Sequence, residues 1–360
     1  MSSRRRSSGG RRWRVRAAVV TAWALLLLAA LPAPARAGGE AAGTTAAAFL
    51  SVGTGAGVLG RGGATLGVAG DLAVVPWNAA ALGWIEETQI AIAHAGLADQ
   101  TVQEWAAVGG RVARTGLRWS IGGLYQSEGS FEGRDALNNP TGGFDVSSMA
   151  VTLHLAHPLG RLATVGAGVK YVGEKLGTVS GSGCTLDAGV LVRAGIVGVG
   201  AAVTNLGGRM SYDGAGYDLP LNVGLGAGLD LPGTGLRLAL DANFPRAYYR
   251  DVRMGAEWRW HDLLAVRAGY RRELDAPEGL AESGPSFGFG AGALGLWLDY
   301  GYLVPGAGEG QHRISVTLRP GRFGWHLGDP FGQRSMRDDL DRPAPSGAPT
   351  AAPEPATPQR

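Results

Sequence analysis

From residue 88 to residue 319 apolar and polar residues alternate, the period of strands with one apolar and one polar face. Leu236, Leu238, Leu240, Ala242 and Phe244 share one side, while Arg237, Asp241 and Asn243 take the other. Met254, Ala256, Trp258 and Trp260 oppose Arg253, Glu257 and Arg259; Leu264, Val266, Ala268 and Tyr270 oppose Arg267, Gly269 and Arg271. Leu294, Leu296, Leu298, Tyr300 and Tyr302 oppose Gly295, Asp299 and Gly301, and Ile314, Val316 and Leu318 oppose Arg313, Ser315, Thr317 and Arg319. Fourteen such segments are expected: 88–97, 102–112, 116–127, 144–157, 161–173, 184–194, 197–206, 219–230, 235–244, 251–260, 263–273, 286–294, 295–304 and 311–319.

The connections alternate in length. ARTG, HPLG (157–160), AG, LPGT and HD are tight, whereas SEGSFEGRDALNNPTGG (127–143), GEKLGTVSGSG, GGRMSYDGAGYD, PRAYYRD and ELDAPEGLAESGP are long. Short turns on one side and long loops on the other characterise an antiparallel outer-membrane barrel. The competing architecture is a soluble sandwich or up-and-down barrel, whose apolar faces would form the core. Strand number, loop asymmetry and an export signal favour an all-β, transmembrane antiparallel β-barrel of about 14 strands. Tyr125, Tyr171, Trp258, Trp260, Tyr300 and Tyr302 at strand ends suit interfacial girdles. Gly166, Gly168, Gly255, Gly269 and Gly295 are placed on the inward face, where missing side chains leave room for a plug.

The ends of the chain differ from this middle. MSSRRRSSGGRRWRVR carries seven arginines and no acid, a fifteen-residue apolar stretch comes next, and Ala35-Arg36-Ala37 offers a cleavage site. Residues 1–37 are therefore expected to be a cleaved signal peptide, and 88–319 are expected to be the barrel. Residues 320–360, rich in Pro and Ala, read as a disordered periplasmic tail. Removing the eight arginines of the leader takes the formal net charge from +3 to −5, so the basic balance is no argument for nucleic acid. One cysteine, Cys184, allows neither an internal disulfide nor a cysteine metal cluster. The six histidines make no H-E-x-x-H spacing and no G-x-S-x-G occurs, so no enzyme, metal or cofactor is expected.

The inward charges Arg237, Asp241, Glu257, Arg259, Arg267, Arg271, Asp299 and Arg313 mix both signs. They can line a polar conduit or form a cross-strand salt-bridge lattice, and the lattice is the favoured reading. Glu257 and Arg267, on adjacent strands, are expected to pair.

GTGAGVLGRGG (53–63) contains Gly55-x-Gly57-x-x-Gly60, the spacing of a dinucleotide-binding turn. No core strand precedes it, glycines crowd the residues after it, and Asp71 comes too early for a ribose partner, so a nucleotide site is rejected. The stretch instead resembles, within AFLSVGTGAGVLGRGGATLGVAGDLAVVPWNAAALGWIE, the N-terminal segment of the PorV/PorQ-type outer-membrane proteins, whose fold is similar to the FadL fatty-acid transporters. Further blocks in order are AAVTNLGG, LALDANFPR, GAEWRWHDLLAVRAGYRR, LDYGYLVP and QHRISVTLR. The resemblance implies that residues 38–87 form a glycine-rich N-terminal hatch segment and the barrel entry, with a lumenal hatch built on Gly55, Gly57, Gly60, Gly63, Asp71, Trp77 and Asn78. Ala79 stands where the family usually has proline, which implies a looser turn. The resemblance implies one of two functions: transport of hydrophobic or small solutes across the outer membrane, or a PorV-like accessory role in secretion that binds exported proteins. Transport is the preferred description. Outer-membrane lipid and the barrel-assembly machinery are the expected general partners.

Overall fold

The computed structural model describes residues 43–277, 283–304, 306 and 309–323; the segments expected as signal peptide and, beyond Phe323, as tail lie outside the described residues. Sixteen strands form one antiparallel sheet. They are β1 (Gln89–Gly96), β2 (Val102–Arg111), β3 (Arg118–Arg134), β4 (Pro140–Leu159), β5 (Ala163–Leu176), β6 (Val179–Ala194), β7 (Val197–Leu206) and β8 (Arg209–Tyr212). The second half comprises β9 (Ala215–Asp218), β10 (Asn222–Leu231), β11 (Leu236–Pro245), β12 (Asp251–Trp260), β13 (Leu264–Glu273), β14 (Gly284–Ala293), β15 (Leu296–Leu303) and β16 (Gln311–Leu318). β1 pairs with both β2 and β16, and β5 with β6, so fourteen strands close a barrel. The remaining pair, β8 and β9, is a short hairpin added to the outer end of β6.

Closure leaves no sheet edge in the barrel wall, which is what a lipid-facing sheet requires. Among the described residues no helix is long and apolar enough to cross a bilayer. The faces of the wall decide between membrane barrel and soluble barrel. Leu240, Val266, Phe287, Phe289 and Leu298 are each at least half exposed on the outside. Arg267, Glu257, Asp241 and Arg313 are at most 3% exposed on the inside. A soluble barrel places its residues the other way round. This molecule is apolar outside and ionic inside.

All fourteen expected segments are barrel strands, and the 251–260 strand has the expected bounds. The differences lie at the end of the barrel opposite the start of β1 and the end of β16, here the loop end. The segments 127–143 and 173–183, expected as loops, are mostly strand: β3, β4, β5 and β6 run 17, 20, 14 and 16 residues and carry paired sheet beyond the apolar band. Glycine- and serine-rich sequence there hides the pairing, since it lacks an apolar face to alternate. Tyr125 and Tyr171 consequently sit within strands rather than at their ends. Gly295 is not an inward strand residue; with Leu294 it makes the tight β14–β15 turn, at φ +88°. Gly166, Gly168, Gly255 and Gly269 do face inward, against Ala79, His154, Arg61 and Gly62.

Residues 47–85 run through the interior. They form a 3-10 turn (Ala48–Ser51), one short helix α1 (Ala56–Gly60), and further 3-10 turns at Leu72–Val74 and Ala79–Trp84. Glycine keeps this segment from extending its helix. Val58, Leu72, Val74, Val75, Leu82 and Ile85 pack with Ala91, Ala93, Trp105, Ala156 and Leu191 of the wall. After β16 a last 3-10 turn (Pro320–Phe323) continues the ordered chain, with Arg322 bonded to Glu87 and Asp262.

Leu240→Arg, at the centre of β11, is expected to lower the folding free energy in lipid vesicles by about 2–4 kcal/mol. Trp260→Arg, at the end of β12, should cost about 0–1 kcal/mol. Urea titrations followed by tryptophan fluorescence check both; equal costs at the two positions would contradict a lipid-facing wall.

Candidate functional site

The internal segment meets the wall through two kinds of contact. The first is ionic. Arg61, just after α1, donates to Glu257 on β12 at 2.9 Å, and Arg267 on β13 donates to the same carboxylate at 2.6 Å. Arg259 and Arg237 approach Glu257 at 3.3 and 3.6 Å, so four guanidinium groups surround one carboxylate. Arg267 also bonds Asp299 (2.6 Å), which accepts Trp297 Nε1 (2.7 Å), while Arg259 stacks over the Trp297 ring at 4.7 Å. The expected Glu257–Arg267 pair is therefore present, inside a lattice that reaches the internal segment. Arg237 continues it through Asp230 to Arg193.

The second contact is backbone on side chain. Asp241 of β11 accepts the N–H groups of Thr65 (2.6 Å) and Leu66 (2.9 Å). Ser315 Oγ accepts from Ala56 N–H and Ser286 Oγ from Gly62 N–H, at 3.1 and 2.9 Å. Asp241 is thus a backbone anchor rather than a member of the salt-bridge lattice.

The residues implied by the sequence resemblance all lie on the internal segment. Gly55 precedes α1; Gly57 lies against the Arg267–Asp299 pair; Gly60 abuts the backbone of Gly288, where a Cβ would come within 2.8 Å of Gly288 Cα. Gly63, at φ +78°, turns the chain beside Arg253. Asp71 caps the Leu72–Val74 turn by accepting from Ala73 N–H at 2.9 Å. Trp77 lies under the Arg253 guanidinium, 4.7 Å from ring to Cζ. Asn78 is fully buried: its amide donates to Leu66 O (3.1 Å) and Val190 O (3.3 Å), and its oxygen accepts from Ala80 N–H (3.0 Å). That cap explains why Ala79, in place of proline, leaves no loose turn: Asn78 holds the Ala79–Trp84 turn from its N-terminal side. Asn78 and Arg61 tie the segment to two separate parts of the wall, β6 and β12.

Above this filled region, at the loop end, the lumen holds a cavity of about 480 Å³. Its floor is made by Val52, Leu72, Val75 and Trp77 of the internal segment, and its walls include Trp105, Leu124 and Leu303. Polar groups intrude from the barrel: Lys170, His154, Arg253, Arg271 and Arg313. Most are paired. Asp187, behind the surface, accepts from Asn205 N–H (2.9 Å) and meets Lys170 and His154 at 3.3 and 3.2 Å. Arg253 and Arg271 share Asp251, at 2.7 and 3.5 Å. The size and mixed lining suit a small, largely apolar ligand. Glu174 closes one side: Ser148, Tyr212 and the Ala47 N–H all donate to it. At the mouth, Arg250 grips Asp275 with two hydrogen bonds, 2.6 and 2.8 Å, which hold that carboxyl below its ordinary range.

Sequence reasoning placed Arg237, Glu257, Arg267 and Asp299 on the inside and they do come together, toward the end of the barrel opposite the loops. Arg313 stands apart at the cavity. The cavity residues Trp105, Lys170 and Asn205, and Asp187 behind them, were not singled out as a site; Lys170 and Asp187, charges flanked by apolar and small residues in the middle of β5 and β6, were the available signal.

Glu257→Gln would leave several buried arginines sharing a neutral partner, and a loss of about 3–5 kcal/mol is expected, read as a lower urea midpoint. Asn78→Ala should strip partners from buried backbone groups at about 1–3 kcal/mol each. The expected sign is faster protease cleavage within residues 43–85 while the heat-modifiable gel shift of the barrel persists. Unchanged protease resistance would show that Asn78 does not hold the segment.

No protein-family model and no curated protein matches the sequence. Solved structures do share the fold. The toluene transporter TbuX of Ralstonia pickettii is 14% identical, with a TM-score of 0.54 over 74% of this chain and 98% of that one. The toluene transporter TodX of Pseudomonas putida is 13% identical, with a TM-score of 0.54 over 74% and 96%. The monoaromatic hydrocarbon channel CymD is 13% identical, with a TM-score of 0.50 over 74% and 96%. At such identities the likeness speaks to fold. It agrees with the strand count and closure seen here: the chain is a closed, 14-strand antiparallel barrel, and it shares that fold with these transporters.

Proposed function

We propose that this protein is a non-enzymatic outer-membrane channel for small hydrophobic solutes, with residues 43–85 as its hatch. The observation that carries the reading is the mostly apolar cavity of about 480 Å³, open toward the loop end and floored by the internal segment. A solute entering there meets Trp105, Leu124 and Leu303 before it meets the floor at Val75 and Trp77. The Glu257 lattice fills the lumen beneath, so a continuous water column is absent from this reading and passage requires the hatch to yield. The fold shared with hydrocarbon channels supports a bacterial outer-membrane location and transport of this class. Export through a cleaved leader at residues 1–37 belongs to the same proposal, as does insertion by the barrel-assembly machinery.

The PorV-like accessory reading has one observation in its favour. The β3–β4 hairpin protrudes from the loop end with Phe131 stacked on Phe144 (5.6 Å) and Leu137 83% exposed, a surface that an exported protein could cover.

Uptake into liposomes separates the two. Reconstituted protein is expected to accelerate entry of radiolabelled toluene while passing little ionic current. Deletion of residues 43–85 should raise the current to that of an open pore. A barrel that neither admits toluene nor conducts, yet retains a secreted partner on purification, would turn the assignment to the accessory role.

A further inference from the structure

The outside of the wall, apolar over most of its area, carries an ion pair on β1 and β2. His94 and Glu104 are direct cross-strand partners, and His94 Nδ1 meets Glu104 Oε1 at 2.6 Å. Both side chains are more than half exposed, and both alternate along their strands with residues that face the lumen. Their row continues on the outer face through Tyr125 on β3 and through Ile314 and Tyr300 on β16 and β15. The exposed pairs Arg134–Glu132, Arg209–Asp218 and Arg250–Asp275 stand instead on hairpin ends or loops. Ionisable groups on a membrane wall are costly unless something covers them, and they mark a site where something does.

Two observations say what that covering partner is. The first is charge. Among the described residues, His94 Nε2 and Glu104 Oε2 bond to nothing. An imidazolium has N–H groups on both ring nitrogens, and a carboxylate accepts on both oxygens. The two groups lie side by side with opposite sign. A half-turn about an axis along the membrane normal, passing between them, sets His94 of each copy against Glu104 of the other, so the patch completes itself. The second is height. β15, β16 and β1 are neighbours of eight residues each, fewer than the roughly 9–11 a tilted membrane strand needs. Burial against another protein relieves a wall too short for its bilayer. The next row toward the start of β1 has a low profile, with Ala106 and Gly123 facing outward beside Ile92. A Cβ on Gly123 would meet nothing within 4 Å, so a second wall can approach closely there.

We propose that the outer face centred on His94 and Glu104 docks a second copy of this chain, forming a two-fold dimer within the membrane. Each Glu104 then accepts from two imidazolium groups, one of its own copy and one of the other. Each face also covers the short strands of its mate. Shielding the four groups from water strengthens the exchanged bonds. The dimer is independent of the reading of the cavity: it uses the lipid side of β16 to β3, whereas a solute uses the lumen.

The test uses the full chain as isolated from membranes in mild detergent, in buffer acidic enough to protonate imidazole, with its mass read by analytical ultracentrifugation. The native protein is expected to sediment as a dimer. His94→Glu and Glu104→Lys each set like charges across the axis and should weaken self-association about tenfold or more. Mixed together, the two variants should recover a one-to-one dimer, which a merely structural role for either residue would not produce. The heat-modifiable gel shift verifies that each variant is folded. In whole membranes, Val102→Cys at the start of β2, combined with Cys184→Ser, should cross-link between copies with a short bifunctional maleimide. Phe244→Cys on β11, six strands round the wall from β1, should not. A native protein that is monomeric and gives no Val102→Cys cross-link overturns the dimer and leaves the ion pair to lipid headgroups. A dimer that survives both charge changes, or variants that never recombine, places any contact elsewhere and overturns it as well.

Discussion

A peptide segment lodged inside a closed barrel must find partners for its own backbone, because the wall has already spent its N–H and C=O groups on neighbouring strands. Here the inward side chains of the wall supply them. Asp241 receives two consecutive N–H groups from Thr65 and Leu66, Ser315 and Ser286 receive those of Ala56 and Gly62, and Gln89 receives that of Leu72. Asn78 does the reverse, sending its amide to carbonyls of the segment and of β6. The polar interior is therefore in large part a hydrogen-bonding surface cut to fit one peptide. Residues that would line water in an open porin are occupied in this lumen.

The same constraint explains the glycine content, 61 of 360 residues. Backbone can hydrogen-bond to short wall side chains only if it lies close to the wall, and close approach excludes Cβ atoms on both sides. Gly60 against Gly288 is the plainest case, with a substituent on either meeting the other's Cα at 2.8–3.0 Å. The glycines of the wall and those of the internal segment are one feature seen from two sides. They cost intrinsic strand stability, which closure of the barrel and the ionic lattice around Glu257 offset.

Much of this architecture was legible in the sequence, for a physical reason. Where lipid lies on one side and ionic groups on the other, alternation is strict, as in Leu236–Phe244 and Met254–Trp260, and the strands could be counted and their inward charges named. The pairing of Glu257 with Arg267 followed from strand adjacency alone. Legibility failed where the alternation loses its lipid. Beyond the apolar band β3 to β6 continue with polar and glycine residues on both faces, so they read as loops. It failed again for the cavity, which is assembled from strands far apart in sequence and from a segment with no period. The glycine spacing of residues 53–63 could be judged unfit for a nucleotide, yet nothing in it names Gly288 as the neighbour of Gly60.

The contacts of the internal segment are unevenly distributed, and that bears on how a solute could pass. Around Arg61 the segment is tied by a buried ion pair to Glu257 and by hydrogen bonds from Ala56 and Gly62 to Ser315 and Ser286 of the wall. Between Leu72 and Trp77 the ties are mainly apolar packing on Trp105 and Ala91, the Gln89 bond to Leu72 N–H and the Arg253–Trp77 stack. Apolar contacts are non-directional and can be exchanged for contacts with an apolar guest at small net cost, whereas a buried ion pair cannot be opened without exposing uncompensated charge. A guest in the cavity presses on the replaceable contacts first. The floor at Val75 and Trp77 is thus the part of the segment that an apolar solute can displace, and the Glu257 lattice is the part that stays to restore it.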